Sequence, residues 1–218
     1  MLVYSTIYGG YDVPKPPRPH PDVSEWRLYT DDPNIYAPGW HVVFELWPEH
    51  SHPRMKAKAR KCQPPLDEPH TLYLDASIRL RDPELLETAR FLLKSAVAWA
   101  MYPHPERTTA AEEVEASVGM RKYAGLEARM RMQVASYHWG EERKLKLWAG
   151  GILVRNSSRM AVRTAGRDWL EECERWTYQD QLSLPGVLAR HGIEPTPITL
   201  GSLWNNPHFT VEPHRSDL

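Results

Sequence analysis

Short apolar runs broken by turn residues open the chain, a pattern that predicts strands. Leu2 to Tyr8 ends in Gly9-Gly10, "WRLYTDD" ends in Asp31-Asp32, and "HVVFELW" spans His41 to Trp47. Between the first two lies "VPKPPRPHPDV", whose five prolines predict an extended surface loop. The basic run "RMKAKARK" at 54–61 precedes "HTLYLDASIRL" at 70–80, a further strand pattern. The period then lengthens. In "DPELLETARFLLKSAVAWAMY" Asp82 caps, Pro83 takes the first helical position, and apolar residues recur at 85, 86, 89, 92, 93, 96, 97 and 100, which predicts one helix over 82–102. Thr109 with Glu112 forms a capping box for the next helix, and "GLEARMRMQVASY" continues helically. "LKLWAGGILVRN" reads as a buried strand, and "DWLEECERW" and "YQDQLSLPGVLARHG" as closing helices.

Strands alternating with helices predict an α/β layer fold with a mostly parallel central sheet flanked by helices. Ligands in such folds sit at the carboxyl ends of the strands. The chain has 218 residues, 41% hydrophobic and 25% charged, which suits a single domain over 1–218. A net charge of −1 gives no overall bias towards nucleic acid or membrane, so any such contact must come from a local patch. Cys62 and Cys173 lie in no CxxC or metal-finger spacing, which points to a reducing compartment without a disulfide framework. No leader pattern and no window of about 20 apolar residues is present, so a soluble, cytoplasmic protein with no membrane contact is expected.

Asp75 is the first candidate site residue, because a lone carboxylate inside an apolar strand is costly to bury unless it is paired or binds a cation. Ser77 stands two residues on. Three strands are expected to end on one edge with polar or flexible groups: Gly9-Gly10 with Tyr11 and Asp12, Asp31-Asp32, and Asp75 with Ser77. Glycines at a first strand end allow close approach of a nucleotide, although a GG pair alone more often marks a turn; Tyr8 and Tyr11 beside it offer rings for stacking on a base. Asp31 or Asp32 offers acceptors to a base or ribose, against the plain reading of "TDDPN" as a turn. Arg54, Lys58 and Lys61 lie about one helical turn apart and can turn one face to a phosphate-rich ligand, whereas the bland alternative is a solvated basic helix. Gly150 and Gly151 leave space at a pocket wall or mark a bulge. Asp180 and Gln181 at a helix start can serve an acceptor hydroxyl and a sugar, or simply favour the helix dipole. Of ten histidines none forms a metal-binding motif such as HExxH, and only His208 and His214 are retained as candidates.

The ordered set "YSTIYGGYD", "YTDD", "RMKAKARK", "LYLDASIRL…DP", "HPERTTAAEE", "GGILVRN" and "YQDQLSL" resembles the small glycosyltransferase-like family of the GT-A type, once filed as a domain of unknown function and found in plant cell-wall proteins and in bacterial and phage genomes. The resemblance runs from about Val3 to His214. It implies a GT-A-like, Rossmann-like fold and a nucleotide-sugar donor, a UDP-sugar, lying across the strand ends. It further implies a divalent cation, Mn²⁺ or Mg²⁺, held at Asp75 with Ser77 nearby and completed by His214, or by His208 in its place. Family members commonly have Asp-Gly-Ser where this chain has Asp75-Ala76-Ser77. Arg54, Lys58 and Lys61 would face the diphosphate and Asp31 or Asp32 the nucleoside. Asp180 would orient or deprotonate the acceptor hydroxyl.

Two kinds of acceptor follow from the resemblance. One is a glycan or protein hydroxyl; the other, suggested by phage relatives, is the hydroxymethyl group of a modified pyrimidine in DNA. For DNA, the runs "RKYAGLEARMR" and "ERKLK", interleaved with Tyr123, Tyr137, His138 and Trp139, offer backbone contacts and stacking. A nucleotide-sugar-binding module without turnover is the alternative of a different class, because the second acid of the usual metal motif is missing.

Overall fold

The computed structural model describes residues 1–47, 49–50, 52–137 and 145–215. Its centre is a seven-stranded sheet, built from β1 (Leu2–Ile7), β2 (Glu25–Thr30), β3 (His41–Phe44), β4 (His70–Leu74), β6 (Trp99–Pro103), β7 (Trp148–Asn156) and β8 (Thr196–Pro197). A small second sheet pairs β5 (Ile78–Leu80) with β9 (Phe209–Val211). The strand order of the large sheet is β3-β2-β1-β4-β7-β6-β8. Strands β3, β2, β1 and β4 run parallel, as do β6 and β8, and β7 is antiparallel to both of its neighbours. The expected α/β class with a mostly parallel central sheet is therefore what the chain forms.

Both faces of the sheet are covered, and the strands show it. Residues of one parity, Tyr4, Tyr73, Met101 and Leu153, pack with α1 (Pro53–Cys62), α5 (Met160–Arg175) and α6 (Leu184–Arg190). The intervening residues, Val3, Leu72, Ala100, Ile152 and Val154, pack with α2 (Glu84–Lys94) and with Phe209 of β9. The remaining helices are α3 (Ala110–Ser117), whose Thr109–Glu112 capping box forms as expected, and α4 (Glu127–Ser136). No helix among the described residues is long and apolar enough to cross a membrane.

One helix differs from expectation. The run over 82–102 splits into α2, which stops at Lys94, and β6, which begins at Trp99. Ala96 takes a positive φ of 59° at the break, and the Val97 N–H closes on the Leu92 carbonyl. Trp99 to Tyr102 are all buried. A strand covered on both faces reads as a continuous apolar run, which periodicity cannot separate from a buried helix. The helix also starts one residue late: Asp82 accepts from the Glu84 N–H, and Pro83 sits just before the first turn. At the other edge β3 ends at Phe44 rather than Trp47, and Trp47 adopts a positive φ of 43°.

Candidate functional site

Because β1, β2 and β4 are parallel, Gly9, Asp31 and Asp75 do fall on one edge of the sheet. A cavity of about 520 Å³ opens there, lined by α1, the β4–β5 turn, β7, the 177–181 turn and the chain's C-terminal segment. That volume suits a ligand of small-molecule size.

Helix α1 presents cations to it. The His52 side chain accepts from the Arg54 N–H at 3.1 Å, Pro53 fills the first position, and the helix is thereby fixed from its first turn. Spacings of four and three then put Arg54, Lys58 and Lys61 on one face, and all three line the cavity. The two lysines converge on Asp180: Lys58 lies 3.1 Å from one carboxylate oxygen and Lys61 pairs with the other. Asp180 is almost fully buried. Burial alone would raise its pKa, but the two ammonium groups outweigh burial and hold the carboxyl at about 2. Three charges of +1, +1 and −1 share one enclosed spot. Burial and the charge of Lys58 accordingly draw Lys61 below its usual value, whereas the pull of Asp180 and Asp75 outweighs burial at Lys58 and raises it.

Gly150 lies against Lys61. A Cβ there would lie 2.6 Å from the lysine Nζ, so the strand must be bare where the ammonium passes beneath it. Gly151 is different: a Cβ would meet Asp75 Cβ and Ile78 Cδ1 only at ordinary contact distance, and its carbonyl accepts from the Asp75 N–H at 2.8 Å. The Gln181 side-chain amide donates to the Trp148 carbonyl at 3.1 Å. Asp180 and Gln181 stand in the turn ahead of α6 rather than inside the helix.

Asp75 follows β4 directly. Its Oδ1 accepts from the Ser77 N–H at 3.1 Å and from the Ser77 hydroxyl at 3.0 Å, so Ser77 braces the carboxylate. The antiparallel pairing of β5 with β9 then carries the C-terminal segment across the site. Glu212 donates its N–H to the Ser77 carbonyl at 2.8 Å, and His214 Nε2 comes to 3.5 Å from Asp75 Oδ1. The other ring nitrogen of His214 donates to Asp12 at 2.6 Å, and Asp12 is itself held by Lys15 at 3.0 Å. The ring of Tyr11 meets His214 edge-on at 5.2 Å, with its hydroxyl given to the Thr6 carbonyl. Burial pushes the Asp75 carboxyl up, yet His214 and Lys61 overcome it and keep it below the usual carboxylate range. His208 is not a competitor, because its ring is committed to Asp82 at 2.9 Å.

Asp75 and His214 fit a divalent cation. His214 gives Nδ1 to Asp12 and would offer Nε2, beside the Asp75 carboxylate, to a cation, and a carboxylate behind an imidazole is the usual support of a metal-bound histidine. Among the described residues no group of three or more His, Cys, Asp or Glu is gathered for a metal. The pair would therefore supply two ligands and leave the remaining positions to water or ligand oxygens, as hard cations at phosphate sites accept.

Several other expected residues do not line the cavity. Tyr8 is fully buried, its hydroxyl donating to Glu45 at 3.0 Å and accepting from Trp47, so no face of its ring is open to a base. Gly9 and Gly10, with φ of 67° and 65°, make the turn after β1. The Gly9 N–H donates to Asp31 at 2.7 Å, and Asp31 also pairs with Lys56 at 3.0 Å; Asp32 caps its own turn through the Asn34 N–H. In the basic runs Arg131 is paired with Glu115, Arg129 donates to the Arg175 carbonyl, Tyr137 donates to Glu172, and Tyr123 is buried in the cavity wall. His138, Trp139 and the first three residues of "ERKLK" lie outside the described residues.

The structure adds a group that sequence reasoning missed. His104, Arg107, Glu113 and Gln179 line the same cavity. Glu113 is buried, receiving Arg107 Nε at 2.5 Å and the Gln179 amide at 2.6 Å; that amide also donates to Ser117 at 2.9 Å. Burial and the charge of Arg107 lower His104 to about 4, so it is neutral near pH 7. The signals for this group were "HPERTTAAEE", in which Glu113 reads as an ordinary first-turn acid, and "YQDQLSL", in which Gln179 stands beside Asp180. Nothing in "GSLWNNP" marked Trp204, which stands 51% exposed on the lining.

A parallel-strand edge carrying an acid and a helix face of cations meeting at one cavity characterise this α/β protein. The profile of the family described as "TOD1/MUCI70, glycosyltransferase-like domain" matches residues 67–200, and the chain belongs to that family. Glycosyl transfer is the activity class that membership supports. No curated protein matches the chain. Among solved structures it is similar to the apo structure of the bifunctional glycosyltransferase WbbM, at 10% identity and a TM-score of 0.47, over 91% of this chain and 38% of that one. The chain thus spans well under half the length of that protein.

Proposed function

We propose that residues 1–218 act as one unit that moves a hexosyl or pentosyl group from a nucleotide sugar, a UDP-sugar, to an acceptor hydroxyl. The observation that carries this reading is the convergence of Asp75 and His214 with the three cations of α1 on one cavity at the strand ends. Asp75 and His214 would hold Mn²⁺ or Mg²⁺, which when bound supplies positive charge against the departing nucleoside diphosphate.

The protein's own groups do the rest. Arg54 lines the cavity, and among the described residues its guanidinium has no hydrogen bond or ion pair, so it is available to a phosphate. Lys58 and Lys61 add charge that is already dehydrated and fixed, and therefore needs little reorganisation as negative charge builds on the leaving group. Asp180 holds that pair in place. With its pKa near 2 it is a poor proton acceptor, and its role is to orient the lysines rather than to deprotonate the acceptor. Tyr11 and the braced Ser77 fix His214 and Asp75 from either side.

The test is a thermal-shift screen of nucleotide sugars with and without Mn²⁺, followed by transfer assays. A ligand that binds only the folded state raises its melting temperature. One nucleotide should stabilise the protein more with Mn²⁺ than without, and Asp75→Asn should abolish transfer. Unchanged turnover in that variant would sink the assignment.

A further inference from the structure

The acceptor half of the site is where the structure says more than the family does. We infer that the group formed by Gln179, Glu113 and Arg107 with Trp204 is a carbohydrate subsite, and that the acceptor hydroxyl belongs to an oligosaccharide. The inference rests on the donor reading above and concerns the same cavity.

Four observations carry it. First, the polar floor is prebuilt: Gln179, Glu113 and Ser117 are all nearly fully buried and bonded to one another, with Arg107 closing on Glu113 at 2.5 Å. Gln179 spends its amide hydrogens on Glu113 and Ser117, which fixes the plane of its carbonyl oxygen as a hydrogen-bond acceptor. A fixed acceptor of this kind suits a sugar hydroxyl, which can donate to it. Secondly, Trp204 lines the same cavity while remaining half exposed, so its indole face is available to the apolar face of a pyranose. Thirdly, Tyr123 and Tyr178 complete the wall with rings 5.8 Å apart, and Tyr178 is held from behind by His52 at 4.8 Å. Fourthly, three arginines in and near the basic run at 121–131 already hold partners. Arg107 is bound to Glu113 and Glu106, Arg131 to Glu115, and Arg129 to a backbone carbonyl. Phosphate tracking depends on cations able to release counterions, and Arg107 and Arg131 are already paired with carboxylates.

The experiment is binding of the whole protein, with UDP and Mn²⁺ present, to an array carrying neutral oligosaccharides, uronate-containing oligosaccharides, and duplex oligonucleotides with and without 5-hydroxymethylcytosine. Signal is expected on oligosaccharides alone, and the neutral and acidic arms show which kind is preferred. Trp204→Ala should weaken that signal by about three- to tenfold, the worth of one stacked ring, and Trp204→Phe should restore most of it. Unchanged melting temperatures show that the variants fold. Binding to hydroxymethylated DNA instead, binding to neither, or oligosaccharide binding that Trp204→Ala leaves intact would each overturn the proposal. Wild-type hydrolysis of a nucleotide sugar with Mn²⁺ is read separately. Hydrolysis without glycan binding sinks only the subsite, and glycan binding without any nucleotide response sinks only the donor reading.

Discussion

Replacing Asp180 by Asn removes one negative charge from between two ammonium groups while nearly preserving shape. The magnitude follows from the carboxyl's displacement: a group drawn from 3.8 to about 2 on folding has gained, at neutral pH, about 2–3 kcal/mol net of its burial. The side chain is 3% exposed, so solvent screening takes little from that figure. Asn leaves Lys61 and Lys58 enclosed without a counter-charge, and breaking a buried pair in this way costs at least as much as the lost attraction. For a chain of this length such a loss corresponds to a fall of roughly 4–12 °C in melting temperature. The sign of the pH dependence is fixed by the same numbers. A carboxyl whose pKa is lower folded than unfolded stabilises the protein above the unfolded value and loses that contribution as pH falls through the folded one. The gap between wild type and Asp180→Asn, measured as urea midpoints, should therefore be full above about pH 4 and narrow towards pH 2. A gap below about 1 kcal/mol at pH 7, or one that stays constant down to pH 2.5, would refute the clamp.

Three further outcomes can be checked. Gly150→Ala places a methyl 2.6 Å from Lys61 Nζ; about 1–3 kcal/mol should be lost, with a weaker UDP response by thermal shift, whereas Gly151→Ala should stay within about 0.5 kcal/mol by urea denaturation. Arg155 is fully buried on β7 and donates to the Cys62 carbonyl at the end of α1 at 3.1 Å and to the Tyr4 hydroxyl, so Arg155→Met should cost about 2–4 kcal/mol in the same assay. His214→Ala should remove the Mn²⁺-dependent part of any nucleotide-induced thermal shift while leaving the metal-free part. A shift equally responsive to Mn²⁺ in both proteins would show that the ring does not ligate the cation.

What could be read from the sequence was what short-range chemistry encodes. Parallel strands ending in Gly9, Asp31 and Asp75 share an edge for the same reason that they are parallel, and Arg54, Lys58 and Lys61 share a face by helical arithmetic. The capping box at Thr109 is local and formed as read. The failures are long-range. β6 looked like the tail of α2 because burial on both faces erases the period of two. Tyr8 looked available because nothing nearby announces that Glu45 and Trp47 enclose its hydroxyl. His214 could be separated from His208 only once β9 paired with β5, which sends one ring to Asp75 and the other to Asp82.

Asp180 shows most clearly how distance along the chain hides chemistry. Read alone, an acid beside a glutamine ahead of a helix invites the role of a base. Read with Lys58 and Lys61, more than a hundred residues earlier, it becomes the opposite: an acid whose proton affinity has been surrendered so that two ammonium groups can stay charged or nearly so in an enclosed site. On the proposed donor reading, a phosphate entering beside those lysines would compete with Asp180 for the same protons and the same hydrogen bonds. The clamp would then set how much of the lysines' charge a ligand can draw on, and Gly150, by leaving space beside Lys61 Nζ, would belong to that device with the acid.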